Sequence, residues 1–363
     1  MKSISLLLIS LLFFLDAKAQ YVGLNKDEVL RLHLLVNTDK NYYKLFSPFL
    51  NKAKQALSET PNPIEEIESE GLLAGNPAKT ASLKAVEDAD KVYALGLAFS
   101  YYADKTYLNK AIEYLTAWAT TNKPSGDPID ETKLEAMITG YDLIRNNVPA
   151  ENKATVDGWL NSVADAEANS ATAKGNRGTA INNWNSHRIK IITLINYTIQ
   201  AGKYDAFIIS ELEKQLAANL NPNGTTWDFM QRDAFHYQTY DLEPLLTTCI
   251  VLYRATGKNY FIYQTPTGAS IKQSVDFMVP YMTGEKTHAE FVNSKVPFDA
   301  ARAKNNEKGF APGTLFNPQS GIYTLSLASY FDPVYVATIT KATNNQDYIN
   351  WQMALNKITK IVN

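Results

Sequence analysis

The residues with chemical potential concentrate in two stretches of this chain. They are Ile181-Asn182-Asn183-Trp184-Asn185-Ser186-His187-Arg188 and Arg232-Asp233-Ala234-Phe235-His236-Tyr237-Gln238-Thr239-Tyr240-Asp241-Leu242-Glu243-Pro244-Leu245. Together they gather amides, two of the four histidines, two arginines and two tyrosines. That set suits removal of a proton from a carbon beside a carboxylate, which needs a base of tunable pKa and donors that hold the charge developing on the carboxylate. It does not have the form of a thiol site or a phosphate loop. The expected activity is that of a polysaccharide lyase.

Asn183 and His187 fall one turn apart on one face if a helix has begun by Asn183. Either Asn182 or Asn183 could instead cap that helix, with its side chain on a backbone N–H, and His187 could be a core histidine. The preceding Lys174-Gly175-Asn176-Arg177-Gly178, with Arg188 and Lys190, makes the most basic local stretch. Beside a cleft it would receive a polyanion; facing solvent it would mean little. In the second stretch Arg232, His236 and Tyr240 follow at steps of four. Pro244 suits the first turn of a new helix, with Asp241 near its cap. The three side chains are therefore expected to converge from a loop or short helix ahead of a longer helix running from Leu242 to about Thr256.

Helices must position these groups. Val92, Leu95, Phe99 and Tyr102 repeat at three- and four-residue spacing, as do Leu108, Ile112, Leu115 and Trp118; later come Ile189, Ile192, Leu194 and Tyr197. Punctuation falls at Thr60–Pro63, Asn122–Pro128, Asn221–Gly224 and Gln264–Gly268. The reading is roughly twelve helices in one all-α domain of helical hairpins, with no strand alternation. No fixed-length repeat is visible, which disfavours a solenoid. An (α/α) toroid or incomplete barrel, with inner helices and their loops around a cleft, is the expected architecture for residues 20–363. The segment Gly284–Pro318, rich in charge and glycine, would either cover one end of that cleft or form a surface loop.

The chain opens on Met1-Lys2-Ser3, an apolar run from Ile4 to Leu15, and Ala17-Lys18-Ala19. This is the pattern of a cleavable signal peptide over residues 1–19, too short to span a bilayer. With no cysteine at the cut, lipid anchoring is not expected, and the product should be periplasmic or secreted. The lone cysteine, Cys249, cannot form an internal disulfide and lies in the apolar run Leu245–Tyr253, where a buried inert thiol is expected. His33, His187, His236 and His288 are scattered and form no metal motif, so neither metal nor other cofactor is expected. A net charge of −2 argues against a nucleic-acid partner. The 21 Tyr, 15 Phe and 5 Trp would suit stacking on sugars, although large helical cores use the same residues. Monomer is the default.

Over most of the mature length the sequence resembles the alginate-lyase superfamily of polysaccharide lyases. The likeness includes the helical pair from Asp90 to Trp118, the Tyr141-Asp142 that follows, and both stretches above. The family's first motif is Asn-Asn-His with an aromatic three residues on; here Asn182-Asn183-Trp184 precedes His187, so tryptophan and histidine are exchanged on one helix face. Its second motif, an Arg and then Tyr-His-x-Tyr-x-Leu-x-Pro-Leu, corresponds to Tyr237-Gln238-Thr239-Tyr240-Asp241-Leu242-Glu243-Pro244-Leu245, with Arg232 one residue further out and the histidine displaced, His187 and His236 both being available. These departures suggest a distant branch, near polysaccharide lyase family 38 rather than the typical alginate lyases of family 5.

The resemblance implies β-elimination across a 4-linked uronic acid of alginate or glucuronan. Asn183, helped by a histidine or Arg232, would neutralise the C6 carboxylate, and Tyr240 would act as base, acid or both. An Arg232 cation or His236 would lower the phenol's pKa, and His187 or His236 is the alternative base. Asn182, Trp184, Arg188, Arg177 and Tyr237 are the expected contacts to the anionic polysaccharide. Two rivals stand beside this reading. A glycoside hydrolase would need two carboxyls across the bond, with Asp228, Asp233, Asp241 and Glu243 as candidates. A non-catalytic glycan-binding protein would use the aromatics alone.

Overall fold

The computed structural model describes residues 20–360, so the segment read as an export signal lies outside the described residues. In chain order the helices are α1 (Lys26–Thr38), α2 (Lys40–Ala56), α3 (Pro77–Ala85), α4 (Glu87–Tyr102), α5 (Lys105–Thr121), α6 (Pro128–Glu131), α7 (Glu135–Ile144), α8 (Ala150–Ala168) and α9 (Asn183–Ile199). There follow α10 (Asp205–Asn219), α11 (Trp227–Arg232), α12 (Phe235–Thr256), α13 (Ile271–Met282), α14 (Pro297–Lys304), α15 (Ile322–Ala328), α16 (Val334–Thr343) and α17 (Trp351–Thr359). Among the described residues the only strand-like pairings are two isolated bridges, Leu220 with Thr226 and Ala289 with Leu315. The helices beyond the twelve expected include α6, α11, α14 and α15, segments too short to show a period.

The all-α toroid expected from the sequence is what forms. Helices α4, α7, α9, α12, α15 and α17 pack side by side in chain order, and α2 joins α17 back to α4 to close the ring. Helices α5, α8, α10, α13 and α16 pack against them from outside. Helix α9 is buried almost all round, with Ile189, Ile191, Ile192, Leu194 and Ile195 at 2 % exposure or less. A helix so enclosed must find partners for every polar side chain it carries, and those partnerships shape the site below. Among the described residues no helix is long and apolar enough to cross a membrane. Cys249 is fully buried, and that burial pushes its thiol upward, as an inert core cysteine requires.

The crossing of α4 on α7 depends on two glycines. A Cβ at Gly140 would stand 2.7 Å from the Tyr93 backbone nitrogen, and one at Gly96 would stand 2.8 Å from the Gly140 carbonyl oxygen. Gly140→Ala should therefore push the helices apart and cost about 1–3 kcal/mol. Chemical denaturation would read this directly; unchanged stability would contradict the crossing.

Candidate active site

The first motif sits where α9 begins. Asn182 is the N-cap, its Oδ1 accepting the Trp184 N–H at 2.9 Å, so its side chain is spent on the helix end and does not face the cleft. Asn183 opens the helix and is held by Asp228, which accepts its backbone N–H at 2.8 Å and one Nδ2 hydrogen at 2.5 Å. An amide nitrogen has two hydrogens, so the second remains for a ligand. One turn on, at the predicted spacing, His187 lies buried behind Tyr240 and, against expectation, does not line the cleft that Asn183 lines. Its Nδ1 lies 2.9 Å from the Thr132 hydroxyl, its Nε2 is buried without a hydrogen bond, and its ring packs 4.5 Å from that of Tyr240. Burial, reinforced by the Lys190 and Lys133 charges, holds His187 well below the usual histidine range, so the ring is neutral.

The second motif differs from the sequence expectation in one respect. A break does occur between α11 and α12, where Asp233 takes a left-handed conformation (φ 50°). Helix α12 then begins at Phe235 and runs straight through Pro244, and Asp241 lies buried inside it instead of capping it. The missing cap comes from far along the chain: Glu290 accepts the Phe235 and His236 N–H groups at 2.8 and 2.9 Å. Proline has no N–H for the carbonyl four residues back, which here is that of Tyr240. The Tyr240 backbone instead faces the His187 ring and favours its protonation, too weakly to offset burial.

Asn183, Trp184, Arg232, His236, Tyr237 and Tyr240 share one cleft of about 320 Å³. Arg232 donates to Asp299 at 2.6 Å and lies over the Tyr237 ring, 3.7 Å from its centre. Its charge is therefore balanced, and it does not lower the Tyr240 phenol as anticipated. Burial first, and Tyr237 next, push that phenol well above the ordinary tyrosine value. Crowding by the cleft walls, with Arg302 and Arg232 nearby, brings His236 down to about 4, although the ring opens onto the cleft.

Three cations in the cleft escaped sequence reading: Lys133, Arg302 and Lys79. Lys133 directly follows the Thr132 that touches His187; its ammonium donates to the Ile129 carbonyl and stands 3.5 Å from Asp130. Arg302, on α14, donates to the Tyr237 hydroxyl at 2.6 Å and is wedged between the Phe298 and Phe310 rings. The charged segment Gly284–Pro318 thus covers the cleft. No local signal marked Lys133; a lysine between Asp130 and Glu135 reads as a solvated helix face.

Other expected contacts lie elsewhere. Arg188 points away from the cleft, 2 % exposed and bound to Asn185 and Glu211. Arg177 is exposed outside the cleft wall. The four carboxyls proposed for hydrolysis are engaged and absent from the cleft lining: Asp228 with Asn183, Asp233 with Asn293, Asp241 with Ser186 and Glu243 with Thr324.

Asp228 deserves a pH test, because burial pushes it up to about 6 against its bonds from Asn183. Above that pH it is ionised and accepts both Asn183 donors; below it the proton weakens this hold. The expected result is that kcat/KM falls as pH drops through about 6. Asp228→Asn should lose about 10²-fold through misplacement of the amide and should lose that limb. A limb unchanged in the variant would remove Asp228 from the account.

Residues 39–288 match the family model described as alginate lyase. Among solved structures, an alginate lyase from Bacteroides ovatus superimposes with a TM-score of 0.66 at 15 % identity, covering 95 % of this chain and all of that one. Alginate lyase A1-III from Sphingomonas species A1 gives 0.58 at 16 % identity, over 87 % of this chain and 90 % of that one. A variant of A1-III complexed with tetrasaccharide gives 0.53 at 18 % identity, over 74 % and 80 %. Among curated proteins no sequence matches. At these identities the solved structures speak for the fold, and the family model covers well over half of the chain. The chain therefore belongs to the alginate lyase family and is a polysaccharide lyase.

Proposed function

We propose that the protein cleaves a 4-linked uronic acid polymer, alginate or glucuronan, by β-elimination. The observation that carries this reading is the convergence of Asn183, Tyr240, His236 and the cations Lys79, Lys133 and Arg302 in one cleft that none of the four candidate carboxylates lines. The two carboxylates that do line it are Glu70 and Glu307, the latter 3.7 Å from Arg302. The free Nδ2 hydrogen of Asn183 and the Lys133 ammonium hold the C6 carboxylate, stabilising the enolate-like dianion formed as the C5 proton leaves. Arg232, already matched by Asp299, positions the Tyr237 ring.

Tyr240 and His236 divide the proton work. A phenol held above its ordinary value stays protonated and suits the donor role. His236 is neutral above about pH 4 and opens to the cleft, so it suits the acceptor. The C5–H and C4–O4 bonds break and a C4–C5 double bond forms. The C5 proton passes to His236 and O4 takes the Tyr240 proton; His236 then releases its proton to solvent and the phenolate regains one, which restores both groups. His187 supports Tyr240 from beneath.

Product masses test the reaction type. Elimination yields fragments whose masses sum to that of the substrate, whereas hydrolysis adds one water per cut. His236→Gln tests the division of labour, with an expected kcat loss of about 10²–10⁴-fold. Near-normal turnover in that variant would assign both proton transfers to Tyr240. Lys133→Ala should lower kcat/KM by about 10²-fold as one stabilising donor is lost, and Lys133→Arg should recover part of it.

A further inference from the structure

Next to the cleft, within the ring of helices, lies a second space of about 620 Å³, a bore partly open to solvent. Lys133 lines both spaces. The helix faces are continuous between them. On α12, Tyr240 in the cleft is followed at helical spacing by Thr247, Ile250 and Arg254 in the bore. On α9 the face that carries Asn183 and His187 leads to Leu194, and on α7 Ala136, Thr139 and Leu143 follow Lys133 down the wall.

The bore has a floor. Residues Tyr21 to Leu24 cross its far end. Arg254 donates to the Tyr21 and Gly23 carbonyls at 2.6 and 3.0 Å and pairs with Glu28 at 2.6 Å, while Asp142 accepts the Gly23 N–H at 2.7 Å. The upper wall carries aromatic rings from four helices: Phe49, Tyr93, Tyr323 and Trp351, with the Asn350 amide beside them. Tyr323 is 46 % exposed although it belongs to this wall. The rest of the lining is mostly aliphatic, with a few amides and hydroxyls, and its two carboxylates are matched, Glu135 by Lys190 and Asp90 by Lys52. Rings and polar edges in a space within the ordinary 300–1,000 Å³ range of ligand pockets suit sugar rings.

We infer that this bore receives one end of the polyuronate chain, so that the enzyme cuts at a fixed short distance from that end. The inference rests on the uronate-eliminating reading above. Lys133, at the threshold, would meet a carboxylate on either side of the scissile bond. A chain entering the bore meets the Tyr21–Leu24 floor, which sets the length of the piece released.

The test combines product analysis with binding. On whichever of polymannuronate, polyguluronate or glucuronan is cleaved, unsaturated ends should accumulate while viscosity falls slowly, and short products of uniform length should appear from the earliest turnovers. A rapid viscosity fall with mixed lengths would overturn the inference while leaving elimination intact. Ala136→Trp, which fills the bore from α7, and Tyr323→Ala, which removes an exposed ring, should each weaken binding of a saturated uronate trisaccharide about tenfold. Titration into the Tyr240→Phe background reads this without turnover, and thermal unfolding checks the fold. Equal affinity in folded Ala136→Trp protein would sink the proposal even if no polymer were cleaved.

Discussion

Tyr240→Phe should reduce turnover by about 10²–10⁴-fold, the contribution of a positioned acid or base, while leaving the protein folded. Its ring packs against His187 and Tyr237, contacts that phenylalanine retains, and among the described residues no hydrogen bond anchors the fold through the hydroxyl. The loss should fall on kcat with KM little changed, because the hydroxyl is needed when O4 departs and not when the polymer binds. The cause is specific: burial keeps the phenol protonated, and removing it leaves O4 to depart as an unprotonated alkoxide. Circular dichroism and thermal unfolding beside steady-state kinetics would check both halves. A variant that turns over normally would move the donor role to another group.

Asn183→Ala should cost about 10²–10³-fold in kcat, the measured scale for losing one donor to a developing oxyanion. The substitution also strips Asp228 of its Nδ2 partner, leaving the Asn183 backbone N–H as a remaining bond. Asp228 should then be harder to ionise, and the acid limb of the pH profile should move upward. Asn183→Asp is the sharper variant. It sets a second carboxylate where Asp228 now accepts a 2.5 Å bond and turns negative charge toward an anionic substrate. It should be at least as inactive as the alanine variant and should bind oligouronates more weakly. If Asn183→Asp kept its affinity for uronate, the amide would not be the carboxylate's partner.

Much of this arrangement was legible in the sequence. Three- and four-residue spacing in runs such as Leu108–Trp118 identified the helices, and the absence of a repeat pointed to a ring. Asn183 and His187 could be placed on one face because a helix start was visible between them and the basic segment ahead. What stayed hidden depends on contacts distant in the chain. Lys133 and Arg302 enter the cleft from α7's approach and from α14, and neither sits in a motif. Arg188 looked like a polyanion contact until Asn185 on its own helix and Glu211 on α10 claimed it. Asn182 was decided by cap geometry, and adjacent asparagines cannot reveal that from their types. Pro244 misled for a physical reason. The usual cost of an interior proline is an orphaned carbonyl, and the toroid places His187 beside the one it creates.

The most direct measurement is ultraviolet absorbance of the 4,5-unsaturated uronide as the protein meets polymannuronate, polyguluronate, glucuronan and a glycosaminoglycan, with Tyr240→Phe alongside. The account predicts a rise on alginate blocks or glucuronan that disappears in the variant. Reducing ends appearing on any of these polymers without that absorbance would mean hydrolysis, and would contradict the assignment of Asn183, Lys133, His236 and Tyr240 to elimination.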